Sequence, residues 1–438
     1  MIRYFIYFLM IFCSISKYAL SLDIKVTHKK LDNGMEVYVI PNHRTPAIMH
    51  MVLYKTGGSD DPAGYSGLSH FFEHLMFSGT EKFPNPLTVF NNIGAQFNAL
   101  TSQFCTIYYE LIPKEHLPIV MDIESDRMQN LKITDKAFTR EQNVVLEERK
   151  MRVESTPKDI LQEEMENAFY YNGYGRPVIG WEHEINKYNK EIAETFYKDH
   201  YSPNNAILIV AGDADPDQVM FLAKQYYGKI EANNQELIRV PKLEPQHKTN
   251  MTLTLEDSSV EIPELFLMHQ VPSGIINKNY MLNLMAATLL GQGQSSMLYN
   301  DLVIKNPIVT SITTNYNYLS YSDNFLLIHA TPKDGVSLQT VEEEIYRCIN
   351  SYIENGIPQE YLDNMKNKIK ADFIYALDGL DLISNFYGIN LILGVPLSEI
   401  NNISDMIDNI DIQDINLTIK NIFKNNVKFA GHLLPKSN

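Results

Sequence analysis

LSHFFEHLMF, from Leu68 to Phe77, decides how the rest of the chain is read. Apolar residues cover most of a helical circumference here, which predicts a buried helix; His70, Glu73 and His74 are the polar exceptions. Residues four apart on a helix project from one face one turn apart, so the two imidazoles are placed to share a single ion. Glu73 points towards the same side and is not needed as a ligand, which leaves its carboxylate free to take a proton from a water at that site. The order HxxEH inverts the better-known HExxH helix of zinc-dependent hydrolases. With 12 His in the chain, such a pattern arises by accident about 0.02 times. The bland alternative is a pair of core histidines with hydrogen-bonded rings, and two His with a Glu on an otherwise apolar helix speak against it.

A catalytic zinc site ordinarily uses three protein ligands, so a further Asp, Glu or His has to come from elsewhere. The segment DKAFTREQNVVLEERKMRV, Asp135 to Val153, predicts a second helix. Glu141 and Glu148 lie two turns apart and share a face that an apolar stripe through Val144 and Val145 would turn inward, whereas Glu147 points elsewhere. Spacing leaves both Glu141 and Glu148 as candidates for the third ligand.

Outward from these helices, 438 residues with 45% hydrophobic content exceed one ordinary core and predict two domains of roughly 200 residues. The Pro-rich polar stretch RVPKLEPQHKTN, residues 239–250, reads as the linker between a unit at 22–238 and another at 251–438. The halves echo each other: YYELIPKEHLPIVMDIESDRM parallels FLLIHATPKDGVSLQTVEEEIYRC, and NAILIVAGDADPDQV parallels NVKFAGHLLPK. LDNGMEVYVIPN predicts a hairpin turning at Asp32-Asn33-Gly34, and Ala47 to Tyr54 a buried strand. Met1-Ile2-Arg3, the apolar run Tyr4 to Ile15 and the small residues Ala19 and Ser21 have the layout of an export signal, residues 1–21. Beyond it only Cys105 and Cys348 remain, too few for a disulfide framework. An excess of 53 acidic over 37 basic residues, net charge -16, argues against nucleic acid; it is more commonly a solvated acidic surface than a site for cationic ligands such as basic peptides.

HFFEHLMFSGT, EQNVVLEE and NAILIVAGDADPDQV together resemble the pitrilysin and insulinase superfamily of inverted-motif zinc peptidases. The likeness runs from about Leu31 to the C-terminus and is greatest to its short members, such as the β subunit of mitochondrial processing peptidase and bacterial two-domain zinc peptidases. It implies an α+β fold of two similar domains, each a mainly antiparallel sheet flanked by helices, arranged as a clamshell. It also implies an endopeptidase that holds one zinc per chain through His70, His74 and Glu148, with Glu73 as general base and with Glu141 serving catalysis from behind the ligands by orienting one of them or helping the base. GAQFNALTSQFCT resembles the family's active-site edge strand, on which Asn98, Ala99 and Leu100 would pair with substrate backbone.

Self-sufficient members carry an Arg and a Tyr in their second half, in a pattern like SSRLY followed by GLAYS. Here the chain reads SSMLYNDLVIKNPIVTS, with Met297 and Thr310 at those places. The resemblance therefore implies a heterodimer with a related metal-free subunit that supplies Arg and Tyr; the alternative is a homodimer or monomer in which Tyr299 or Lys305 substitutes. A non-catalytic binding or scaffold subunit is the competing function. By the same analogy the exported chain belongs in a periplasm.

Overall fold

The computed structural model describes residues 24–233, 244–272, 278–316, 323–424 and 427–436. The expected signal, 1–21, and residues 239–243 of the expected linker lie outside them. The strands are β1 (Thr27–Lys30), β2 (Glu36–Pro41), β3 (Ala47–Tyr54), β4 (Gln96–Thr101), β5 (Thr106–Pro113), β6 (Ala206–Gly212), β7 (Met251–Asp257), β8 (Glu264–Val271), β9 (Val309–Tyr316), β10 (Asn324–Pro332) and β11 (Phe429–Pro435). Helices of eight residues or more are α1 (Leu68–Leu75), α2 (Leu117–Asn130), α3 (Asp135–Arg149), α4 (Pro157–Phe169), α5 (Lys190–His200), α6 (Pro216–Tyr226), α7 (Lys278–Gly291), α8 (Leu338–Asn355), α9 (Gln359–Ala376), α10 (Leu380–Ile392) and α11 (Ile412–Phe423).

The fold is α+β with two sheets. The first has the order β1-β2-β6-β3-β5-β4 and the second β7-β11-β8-β10-β9. With β1 set aside, each sheet places its first strand beside its last, then its second, fourth and third, so one topology occurs twice. Each has a single parallel pair, β2 with β6 and β7 with β11, and is otherwise antiparallel. The two sequence echoes fall at matching places, on β5–α2 against β10–α8 and on β6 against β11. Helices match as well: α1 and α7 both lie between the second and third strands of their sheets, and α2, α3, α4 follow β5 as α8, α9, α10 follow β10.

Central strands β3 and β6 are buried on both faces and apolar apart from His50, because helices cover both. Edge strand β4 alternates instead, as a half-covered strand should. The halves also exchange a helix. In the first half, α4 lays Leu161, Met165 and Phe169 on the second sheet, against Phe266, Phe325 and Phe429. In the second half, α10 packs on β3 and β6 of the first sheet. Glycine permits both approaches: a Cβ on Gly431 of β11 would stand 2.1 Å from Met165 Sδ, and one on Gly388 of α10 would stand 2.9 Å from Leu53. The space between the sheets is filled by one continuous core drawing on both halves, from Met51 and Ile209 to Leu267 and Ile345.

The other face of the first sheet buries charge. Arg127 on α2 lies 2.6 Å from Glu124 and 3.5 Å from Glu110, and His50 Nδ1 is 2.9 Å from Glu110. Desolvation raises the carboxyls of Glu110 and Glu124 to about 7 and about 8, opposed by the attraction of Arg127. Burial lowers His50 to about 4. The Arg127 guanidinium lies 5.2 Å from the Phe77 ring centre, just past the end of α1.

Candidate active site

The helix α1 begins where the loop before it supplies a cap. Asp61 accepts hydrogen bonds from Gly67 N at 2.7 Å and from Ser69 N and Oγ at 2.8 and 2.6 Å, satisfying donors that the first helical turn leaves open. Burial lifts the Asp61 carboxyl to about 7. Leu68, Phe71, Phe72 and Leu75 face the core, which turns His70, Glu73 and His74 towards a cavity of about 1010 Å³. That cavity is walled by α1, α3, the π-helical turn Lys150–Glu154 and strand β4.

Across it, α3 places Glu148 opposite both imidazoles. Glu148 Oε2 is 3.2 Å from His74 Nε2 and 3.6 Å from His70 Nε2, and the three donor atoms lie within 4.8 Å of one another. Glu141 sits behind, its Oε2 3.5 Å from His74 Nδ1, the ring nitrogen turned away from Glu148. The choice that spacing left open is thus resolved in geometry: one carboxylate meets both rings, the other braces one ring from the rear. Two imidazoles and a carboxylate form the donor set of a catalytic zinc site with room for a further ligand, and these residues fit that ion.

The two imidazoles and their carboxylate neighbours shift one another strongly. Burial lowers His70 to about 4; at His74 burial pulls the same way, but hydrogen bonds to Glu141 and Glu148 outweigh it and raise the ring to about 9. Hydrogen bonding with His74 holds Glu148 below the ordinary carboxylate value. Glu73 stands apart from the three donors. Its Oε2 accepts from Thr101 Oγ1 at 2.5 Å, and burial raises its carboxyl, the direction a proton-accepting base needs to work near neutrality.

Strand β4 borders the cavity with its outer edge unpaired among the described residues, since it bonds only β5. Asn98 and Leu100 are exposed along it while the Ala99 side chain is buried. The stripe expected to turn α3 inward splits: Val145 is buried, but Val144 is 42% exposed and lines the cavity. Met297 is buried in the core, and Thr310 is exposed on β9, its hydroxyl donating to Thr331 O. Neither they nor Tyr299 or Lys305 line the cavity, and Lys305 pairs with Asp301 at 3.0 Å.

Three residues of the site were not singled out from sequence. Asp61 acts from a loop seven residues before Leu68, the first residue of the helix, Thr101 reaches Glu73 only because β4 folds beside α1, and Arg152 binds Glu148 Oε1 at 2.9 Å. Arg152 alone had a local signal, since it is four residues beyond Glu148 and helical neighbours at that spacing meet. Its contact leaves Glu148 Oε2 as the oxygen facing the imidazoles.

Two family models match in succession, insulinase (peptidase family M16) over residues 37–181 and the peptidase M16 inactive domain over 187–369. The chain belongs to the M16, or pitrilysin, family of peptidases. It is 28% identical over 362 residues to the zinc protease PqqE of Helicobacter pylori, covering 82% of this chain and 81% of that one. Among solved structures it matches a protease from Helicobacter pylori at a TM-score of 0.87 and 25% identity, covering 94% of this chain and all of that one. The first half of the periplasmic protease PqqL from Escherichia coli has the same fold, with a TM-score of 0.79 at 20% identity over 94% of this chain and 92% of that one.

Proposed function

We propose that this M16 member is a zinc-dependent endopeptidase acting on peptides or unfolded polypeptide segments, with zinc held by His70, His74 and Glu148. The convergence of Glu148 Oε2 on both imidazoles, with Glu73 left out of the donor set beside them, carries this reading. Zinc held by these three residues would supply Lewis-acid chemistry towards a peptide carbonyl and a nearby water. Glu73 takes the proton of the attacking water and later delivers it to the leaving amine. Thr101, donating to one Glu73 oxygen, keeps the carboxylate turned so that the other oxygen faces the cavity. Glu141 fixes the tilt of His74, and Arg152 holds Glu148 by its far oxygen. A substrate strand added to the free edge of β4 at Asn98, Ala99 and Leu100 would be gripped mainly through backbone, leaving modest side-chain preference.

The buried Met297 and the exposed Thr310 contribute neither cation nor phenol. We accordingly propose a heterodimer with a related metal-free subunit that supplies Arg and Tyr, with a homodimer as the alternative, and export to a periplasm with residues 1–21 as the signal. A quenched fluorescent peptide library, assayed with native co-purified protein, tests the chemistry. Cleavage should vanish with chelator, return with zinc, and fall about 10²- to 10⁴-fold in Glu73→Gln. Turnover that ignores chelation or survives in Glu73→Gln overturns the mechanism. Zinc bound at one per chain without any turnover would favour the binding or scaffold subunit.

A further inference from the structure

Glu148 stands one residue before α3 ends at Arg149 and gives way to the π-helical turn Lys150–Glu154. A change of helical type interrupts the regular ladder, so the aim of a side chain there depends on what grips the turn from outside. Arg149 supplies that grip. It is buried, does not line the metal cavity, and divides its guanidinium among three segments. Nε donates to Glu154 Oε1 at 3.0 Å within the π-helical turn. Nη1 and Nη2 donate to Glu163 Oε2 and Oε1 at 3.0 and 2.8 Å, a two-pronged pair with α4. Nη1 also donates to Gly180 O at 2.8 Å. Gly180 leads to the other metal-type donors, because a Cβ on Gly67, the residue before α1, would stand 2.6 Å from Gly180 Cα. The next residue, Trp181, donates its N–H to Ser66 Oγ at 3.1 Å, and Glu184 accepts from Ser66 N at 2.6 Å. One guanidinium thus joins the entry of the helix that carries His70 and His74 to the exit of the helix that carries Glu148.

Glu163 carries the link into the second half. It stands on α4 two residues from both Leu161 and Met165, so it lies on the side of the helix opposite the face that rests on the second sheet. That face meets β10 through Phe169, whose ring centre is 5.4 Å from that of Phe325. A buried guanidinium holding a carboxylate through two parallel bonds fixes direction as well as distance, which a point charge does not. We infer that Arg149 is a positioning residue for zinc binding, and that through Glu163 it makes the aim of Glu148 depend on how α4 is seated on the second half. This rests on the zinc site proposed above. By this route the second half takes part in metal binding from a distance.

The test uses the full chain with its co-purified partner and reads zinc affinity by competition with a fluorescent chelator, which needs no turnover. Arg149→Met should keep the circular dichroism of wild type and weaken zinc binding by at least about fivefold. Phe325→Leu, which loosens α4 from β10, should weaken it by about twofold or more in wild type and add nothing in Arg149→Met, where the link is already cut. A folded Arg149→Met with unchanged affinity leaves Arg149 a structural role alone and overturns the proposal. Equal losses from Phe325→Leu in both backgrounds overturn the link to the second half. If Arg149→Met does not fold, Glu163→Gln takes its place: it leaves the guanidinium one acceptor instead of two, and an affinity that does not fall overturns the proposal. Zinc bound without any cleavage retires the peptidase and keeps the clamp. If wild type takes up no zinc, the zinc reading fails by itself and hydrogen exchange in the metal-free chain decides the clamp: amides of residues 145–149 should exchange faster in Glu163→Gln than in wild type, and equal rates overturn it.

Discussion

The first and second halves share a frame and differ in what fills one place in it. Between α1 and α3 stand His70, His74 and Glu148. Between the matching helices α7 and α9 the chain puts Met281, Leu284, Thr288, Lys368 and Phe373 around a hollow of about 430 Å³. Among the described residues no second set of metal-type donors converges. The topology is therefore indifferent to the metal, because strand order and helix placement follow from burial, while the site depends on three side chains at chosen positions. The second half acts instead through packing, sending α10 to cover the first sheet as α4 covers the second.

The comparison breaks most visibly if each half is altered at the same place. Glu148→Ala should cost more than about 100-fold in zinc affinity, beyond what loss of a bracing group costs, and abolish cleavage; Lys368→Ala on the matching helix α9 should leave both unchanged. Zinc content by mass spectrometry, with peptide turnover, reads the pair. Next in size is the helix exchange. Gly431→Val forces a side chain into Met165 and should destabilise the fold by about 3 kcal/mol, seen as a lower denaturation midpoint that Met165→Ala partly restores. Independent unfolding of the two halves in wild type would contradict the shared core.

Glu141→Gln keeps the shape of the brace behind His74 and removes its charge, so zinc affinity should drop about 10- to 100-fold with the melting temperature of the zinc-free protein little changed. A loss as complete as that of Glu148→Ala would instead make Glu141 a ligand. The α1 cap sharpens the contrast at lower cost. Asp61→Ala should remove about 1–2 kcal/mol, since the three hydrogen bonds it makes are partly offset by the burial that lifts its carboxyl to about 7.

The smallest effect concerns pH. Glu110 and Glu124 have folded pKa values of about 7 and about 8, above their unfolded values, so the folded chain holds protons that the unfolded chain releases. Their contribution is complete below the ordinary carboxylate range and is lost as pH rises through about 8. His50, lowered to about 4, works in the opposite sense below about 6.5. Thermal midpoints should therefore decline from pH 6.5 to 8.5, and Glu124→Gln should flatten that slope; an unchanged slope rejects this origin.

Much was legible in one dimension because the signals were local. HxxEH places two imidazoles and a carboxylate together through a four-residue spacing on a helix, and the hairpin at Asp32-Asn33-Gly34 and the buried run at Ala47 to Tyr54 are read from turn chemistry and apolar pattern. The paired echoes anticipated the repeated sheet. Periodicity fared worse on α3, where Val144 and Val145 lie about 100° apart and only one is inward.

By itself, then, the sequence determined the two imidazoles with the carboxylate of Glu73 beside them, the α+β character and the duplication, all of which arise from contacts within one element or from one pattern written twice. Only the tertiary structure decided that Glu148 and not Glu141 meets both rings, that Thr101 holds Glu73, that Asp61 caps α1, and that the halves exchange helices. Each of those joins residues distant in the chain, and such contacts are set by how sheets and helices pack, which spacing along a helix does not encode.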